Sequence, residues 1–116
     1  MGILIVDSPA SAGHPVPPDY PEHPGRYAAV RQALEPLAGC EWVESRPAER
    51  HELERFHTAG HVERVLSACA AAQEGRWEAL DPDTHVQQSS VQAGLHAAGA
   101  ALKAVDCVVT AEPRQA

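Results

Sequence analysis

The feature of this sequence that most constrains its fold is a continuous apolar run close to the N-terminus. Ile3 to Val6 are all apolar, and Asp7, Ser8 and Pro9 follow them directly. A strand that is apolar at every position is typical of a parallel sheet that is covered on both faces. We therefore predict a buried β-strand at residues 3–6, which requires neighbouring strands at its edges and helices above and below it.

The rest of the chain offers helices rather than strands. Residues 41–45 are the one further strand candidate, whereas apolar side chains recur at helical spacings of three and four in four segments. The predicted helices cover residues 24–39, 49–57 and 58–75, followed by a long helix that Ser89 or Ser90 caps. Because two parallel strands alone are marginally stable, this inventory predicts part of an α/β layered fold whose central strands are missing here.

The helical periodicity also predicts which side chains face inward. In the first helix, the apolar face consists of Tyr27, Val30, Leu34 and Leu37, and Pro36 disturbs its last turn. In the short second helix, Leu53 and Phe56 are expected to point inward. The last helix is rich in small residues that allow a close approach to another backbone: Ala93, Gly94, Ala97, Gly99, Ala100 and Ala101. Residues 8–25 and 76–88 are predicted to be loops.

Composition and charge exclude several classes of function. The formal net charge is −7 and the nine basic residues are scattered, which disfavours direct binding of nucleic acid. No apolar run approaches the length of a membrane span. Three widely spaced cysteines suggest neither a disulfide framework nor a Cys-x-x-Cys metal site. We therefore expect a cytoplasmic protein with reduced thiols.

Two histidines at helical spacing raise the possibility of a metal site. His57 and His61 stand four residues apart, which places both imidazoles on one face of a helix. No glutamate follows His57, so the pattern is not that of the His-Glu-x-x-His metalloproteases. No spacing suggests a third ligand, which favours packing or capping roles. A histidine-based metal-binding module remains an alternative.

A second cluster with possible chemistry is Asp81-Pro82-Asp83-Thr84. Paired carboxylates are one interpretation, and a turn built by Asp and Pro is the favoured one. The chain contains no G-x-S-x-G, P-loop or G-x-G-x-x-G motif, so a nucleophile elbow and a nucleotide site lack support.

Taken together, three segments in register resemble the family of bacterial histone-deacetylase-like proteins, which includes acetoin-utilisation proteins and acetylpolyamine amidohydrolases. The segments are Pro21 to Arg26 with the following Tyr-Ala-Ala-Val, Glu52 to Val62, and Leu80 to Thr84 with the helix that continues to Leu102. Two positions depart from the pattern: Tyr20 stands where many relatives have His, and His61 where Tyr is common.

The resemblance implies a fold and a function. The fold would be the N-terminal part of an arginase/deacetylase-type α/β domain, a parallel sheet flanked by helices, that is mostly helical in residues 1–116. The intact protein would be a zinc-dependent deacetylase of acetyl-lysine or acetylpolyamine-type amides. In the family, a histidine pair and the zinc ligands lie in later segments, so we expect no catalytic residue and no bound zinc in this chain.

One family role falls within these residues. Relatives carry a rim-loop aspartate that accepts hydrogen bonds from substrate backbone amides, and Asp83, or in second place Asp81, corresponds to it. The remaining partner implied is the rest of the same catalytic domain. Two alternatives stay open: a small non-enzymatic helical interaction module, and a catalytically dead deacetylase relative.

Overall fold

Helices and two small sheets alternate along residues 2–110, the part of the chain that the structure, a computed structural model, describes. The order of elements is β1 (Ile3–Asp7), a short 3-10 helix (Pro9–Gly13), α1 (Gly25–Leu34), β2 (Cys40–Glu44), α2 (Arg50–Leu53), α3 (Ala59–Ala71), β3 (Glu78–Asp81), β4 (Thr84–Val86) and α4 (Ser90–Thr110). No helix within these residues is both long and apolar enough to cross a bilayer.

Strands β1 and β2 pair in parallel, and the pairing runs from Ile3 opposite Cys40 to Asp7 opposite Glu44. Both strand predictions are thereby confirmed. The burial predicted for the first strand is only partly found, because Ile3 is 64% and Leu4 38% exposed. Within residues 2–110 β1 has one neighbouring strand, and α4 is the long helix that packs on it. Part of the apolar run therefore remains exposed, because residues 2–110 do not bury both faces and both edges of β1.

Helix α1 is shorter and more exposed than its sequence predicts. It ends at Leu34 rather than at Gly39, since Pro36 has no N–H to donate to the preceding turn. Gly39 instead takes a positive φ of 80° in the turn before β2. Val30 is 59% and Leu37 53% exposed, whereas Tyr27 and Leu34 are half-buried, so the predicted inward face is only partly covered.

Helix α2 is also shorter than predicted, and one side chain predicted to face inward is exposed. A capping box of Glu49 and Glu52 starts the helix, which ends at Leu53. Because turns replace the helical period after Leu53, Phe56 is directed outward and is 89% exposed. The prediction that Phe56 faces inward is wrong.

Helix α3 begins as predicted, since the Thr58 hydroxyl accepts a hydrogen bond from the His61 amide at 3.1 Å. It ends at Ala71 rather than at Gly75, which adopts a positive φ of 73° in the next turn. Its buried stripe contains Val62 and Cys69, 4% and 1% exposed.

Close backbone packing joins α4 to the segment after β2. The Ala48 amide donates to the Leu95 carbonyl at 2.8 Å, and a Cβ on Gly99 would overlap the Arg46 carbonyl group. The predicted close approach of the last helix is confirmed at Gly99. The core is correspondingly made of small side chains: Ala48, Val62, Cys69, Ala72, Val86 and Ala93.

The segment predicted as a loop at residues 76–88 contains an antiparallel hairpin of β3 and β4. Its pairing includes a register shift between Ala79 and Asp81. The strands are four and three residues long, which is too short for an alternation of apolar and polar residues to be recognised in the sequence. The turn predicted at Asp81–Thr84 is confirmed, and it is this turn that brings the two strands together.

Candidate functional site

The tip of the β3–β4 hairpin uses one of its two aspartates internally. The Asp81 carboxylate accepts a hydrogen bond from the Asp83 amide at 2.9 Å. This bond, and a second one from the Thr84 side chain, lower the pKa of Asp81. Asp83 is exposed, and no hydrogen bond or ion pair to its carboxylate is found within residues 2–110. The two aspartates are close together in the sequence, but only the Asp83 carboxylate is free of hydrogen bonds to residues 2–110.

Long-range hydrogen bonds hold the hairpin on two sides. The Tyr20 hydroxyl donates to the Pro82 carbonyl at 3.2 Å, and the Trp77 indole N–H donates to the Pro15 carbonyl at 3.4 Å. From α3, the Arg64 guanidinium donates to the Leu80 carbonyl at 2.5 Å. The hairpin is thus fixed between the proline-rich loop 8–25 and helix α3.

Loop 8–25 also meets the start of α4. The His14 Nδ1 atom lies 2.8 Å from the Ser90 hydroxyl, which accepts a hydrogen bond from the Gln87 amide at 2.9 Å. Ser90 is 8% exposed, so this contact is largely shielded from water. The loop is consequently an ordered strap rather than a simple linker.

The position of this strap is informative. Loop 8–25 leaves the carboxyl end of β1, and parallel α/β sheets bind their ligands outside the carboxyl ends of their strands. The hairpin tip is bonded directly to that loop through Tyr20. Asp83 is therefore joined, through Pro82 and Tyr20, to the loop that follows β1.

A second polar cluster, which the sequence did not reveal, ties α1 to the sheet. Arg31 pairs with Asp7 and with Glu35, and its guanidinium lies 4.9 Å from the centre of the Trp42 ring. Tyr27 donates to the Asp7 carboxylate at 2.7 Å, and burial followed by this bond raises the pKa of Tyr27. Arg31 is already paired with two carboxylates, so the cluster serves to hold α1 against the strands.

The histidine pair lies at the edge of an apolar groove. The rings of His57 and His61 have centroids 4.9 Å apart, and both residues are exposed. They border a groove of about 500 Å³ between α3 and α4, whose walls are mainly apolar.

Within residues 2–110, no group of three or more His, Cys, Asp and Glu side chains is arranged to hold a metal ion. A protein zinc site needs at least three such ligands, so the histidine pair does not fit one. The family resemblance implies zinc ligands in an Asp-x-His sequence of a later segment, and this chain itself contains one such sequence, Asp83-Thr84-His85. It lies in the hairpin, where the His85 ring contacts Tyr20 edge-on at 5.3 Å, and it too lacks a third ligand among these residues.

Comparison with solved structures gives the fold class. A chain described as the crystal structure of the HDA15 HD domain matches with a TM-score of 0.77 and 21% identity. The match covers 95% of this chain and 33% of the other, so this chain spans about a third of its length. The α/β fold of arginase/deacetylase type that the sequence predicts is confirmed by this likeness.

The family follows from the sequence itself. Residues 20–116 match the histone deacetylase domain, so this chain belongs to the histone deacetylase domain family. Comparison with curated protein sequences gives no match. The matched range includes Tyr20, the hairpin with Asp81 and Asp83, and both histidines.

Proposed function

We propose that this chain forms the N-terminal part of a zinc-dependent deacetylase domain and supplies part of its substrate-facing rim. The intact protein would hydrolyse acetyl-lysine or acetylpolyamine-type amides. The observation that carries the proposal is the histone deacetylase domain match over residues 20–116. The hydrogen bond that joins the hairpin to loop 8–25, which follows β1, supports a rim role for Asp83.

The chemistry of Asp83 suits this role. An exposed carboxylate accepts charge-assisted hydrogen bonds from amide N–H donors, and these are stronger than bonds between neutral groups. A substrate with an acetylated side chain presents such backbone or amine donors beside the acetyl group. Asp83 would hold the substrate from the rim while the acetamide is attacked elsewhere.

The residues that carry out hydrolysis are proposed to lie in the parts of the domain that this chain does not contain. The resemblance assigns the histidine pair and the zinc ligands to later segments, and residues 2–110 offer no group of three metal-ligating side chains. We therefore propose that the 116-residue chain alone is inactive.

The rest of the domain is also the proposed partner of the exposed apolar surface. Ile3 is 64%, Phe56 89% and Val108 77% exposed. The radius of gyration is 16.4 Å, compared with about 13 Å for a compact domain of roughly 100 residues. The three exposures and the radius of gyration fit a chain whose apolar faces are covered by further secondary structure of the same domain.

A cytoplasmic location remains a prediction.

The test compares the 116-residue chain with an intact protein that carries it. We expect the intact protein to bind about one zinc per molecule, as catalytic zinc sites do, and to deacetylate an acetyl-lysine peptide or an N-acetylpolyamine. The isolated chain should show neither property. Stoichiometric zinc together with turnover in the isolated chain would overturn the assignment of the chemistry to other segments.

The exposed apolar surface is also compatible with an alternative function, that of a non-enzymatic interaction module. A module of that kind would unfold cooperatively and would show little binding of an apolar-surface dye. A chain that lacks its covering elements would bind such a dye and would tend to aggregate. Thermal unfolding followed with dye fluorescence separates these two accounts.

A further inference from the structure

A single peptide unit at the hairpin tip is held at both of its polar groups. The carbonyl of the Pro82–Asp83 peptide accepts from the Tyr20 hydroxyl at 3.2 Å. The N–H of the same peptide donates to the Asp81 carboxylate at 2.9 Å. The donor and the acceptor come from different parts of the chain, since Tyr20 lies 62 residues before Pro82.

This arrangement removes most of the freedom of the backbone that precedes Asp83. Rotating the Pro82–Asp83 peptide plane would break both bonds at once, and the proline ring already fixes φ at Pro82. The Tyr20 ring is held in turn by its edge-on contact with His85, with centroids 5.3 Å apart. The direction in which the Asp83 side chain leaves the turn is therefore set by its neighbours before any substrate arrives.

The two aspartates consequently have different roles. The Asp81 carboxylate is engaged within the turn, by the Asp83 amide and the Thr84 side chain. The Asp83 carboxylate is exposed and accepts no hydrogen bond from residues 2–110. A carboxylate that binds substrate needs lone pairs that are free to accept hydrogen bonds from the substrate. A residue that orients this carboxylate must instead form hydrogen bonds within the protein.

We propose that Tyr20 and Asp81 are positioning residues that clamp the Pro82–Asp83 peptide, and that Asp83 alone contacts the substrate. This inference rests on the proposed function for the contact made by Asp83. The clamp itself is a property of the hairpin and is measured independently.

The clamp is tested first in the intact protein that carries this chain, by hydrogen exchange at the Asp83 amide followed by NMR. Tyr20→Phe keeps the ring against His85 and removes only the hydroxyl. Loss of one hydrogen bond that supports the turn should make this amide exchange about three- to tenfold faster. Tyr27→Phe, which removes a hydroxyl that binds Asp7, is the matched control and should leave the exchange rate unchanged. An unchanged rate in Tyr20→Phe would overturn the clamp.

The division of roles is tested in the intact protein by separating kcat from KM. Asp83→Asn should raise KM more than any other variant, and Tyr20→Phe should raise KM about three- to tenfold with kcat unchanged. Tyr27→Phe again serves as the control for loss of a hydroxyl. A fall in kcat at constant KM in Tyr20→Phe would contradict a positioning role.

Asp81 distinguishes positioning from contact most sharply. Asp81→Asn keeps the oxygen that accepts from the Asp83 amide and loses the charge, whereas Asp81→Ala loses both. A positioning role predicts that KM stays near the wild-type value in Asp81→Asn and rises in Asp81→Ala. Equal losses in both variants would mean that the Asp81 charge itself binds the substrate. If the intact wild-type protein shows no turnover, the proposed function fails, while the exchange measurement still decides the clamp.

Discussion

The two halves of helix α4 carry similar apolar patterns and have opposite surroundings. In the first half, Ala93 is 5% exposed, and the Leu95 carbonyl accepts from the Ala48 amide at 2.8 Å. In the second half, Val105 is 58%, Val108 77% and Val109 76% exposed. Apolar residues thus recur along the whole of α4, but whether they are covered depends on which other segments are present.

The contrast also separates two kinds of stabilising contact. The first half is fixed by backbone proximity, since Gly99 allows the Arg46–Ala48 segment to lie against the helix. The second half is linked mainly by a flexible side chain, because the Lys103 ammonium donates to the Glu44 carbonyl at 2.7 Å. We therefore expect substitutions at the closely packed positions of the first half to reduce stability strongly, and substitutions in the second half to alter exposed surface.

The largest effect is expected from Gly99→Ala. The added Cβ would overlap the Arg46 carbonyl and lie 2.9 Å from the Ala48 amide nitrogen, so two backbones must separate. Overpacking against rigid backbone should cost about 3 kcal/mol of unfolding free energy or more. Gly94→Ala is the matched control in the same helix, where nothing lies within 4 Å of the new Cβ. It should stabilise by about 0.5–1 kcal/mol. Urea unfolding measures both, and equal effects would contradict the close approach.

A smaller difference is expected between two valines of opposite exposure. Val62 on α3 is 4% exposed and borders the groove against α4, whereas Val108 is 77% exposed. Val62→Ala should cost about 2 kcal/mol through lost burial and a residual cavity. Val108→Ala should change stability by no more than about 0.5 kcal/mol. Similar losses in urea unfolding would show that the second half of α4 is covered in the isolated chain.

The fold was predictable where the signal was local. The apolar run at Ile3–Val6 predicted β1, Thr58 predicted the start of α3, and the Asp-Pro-Asp-Thr sequence predicted its turn. The failures concern short elements and the points at which elements end. Phe56 is predicted to face inward only if the helical spacing continues beyond Leu53, and the strands of the β3–β4 hairpin are too short to show a period.

The candidate site was predictable only in part. Family resemblance pointed to Asp83 and Asp81, but the sequence does not show that Asp81 is occupied by the Asp83 amide. Nor does it show that Tyr20 reaches Pro82 across 62 residues. The one available sign was that Tyr20 departs from the residue common among relatives, and a departure marks a position without revealing its contact.

The smallest expected effect sharpens the comparison at the packed side of α4, through the ion pair beside Gly99. The Arg46 side chain binds both carboxylate oxygens of Glu52, at 2.6 and 2.8 Å. This pairing, with the Glu49 amide bond second, lowers the pKa of Glu52 from its ordinary 4.5 to about 2. A carboxylate whose pKa is lower in the folded state stabilises the fold above its unfolded pKa, and that contribution is lost as the pH falls through the folded pKa.

The thermal midpoint of the chain should therefore fall as the pH is lowered from about 4.5 towards 2. Glu52→Gln should reduce this dependence, because the neutral side chain binds no proton over that range. Glu41→Gln is the matched control, since Glu41 is exposed and forms no ion pair within residues 2–110. It should retain the wild-type dependence. If Glu52→Gln and the wild type lose stability in parallel, the Arg46 contact does not hold the segment that packs against Gly99, and backbone proximity alone distinguishes the first half of α4 from the second.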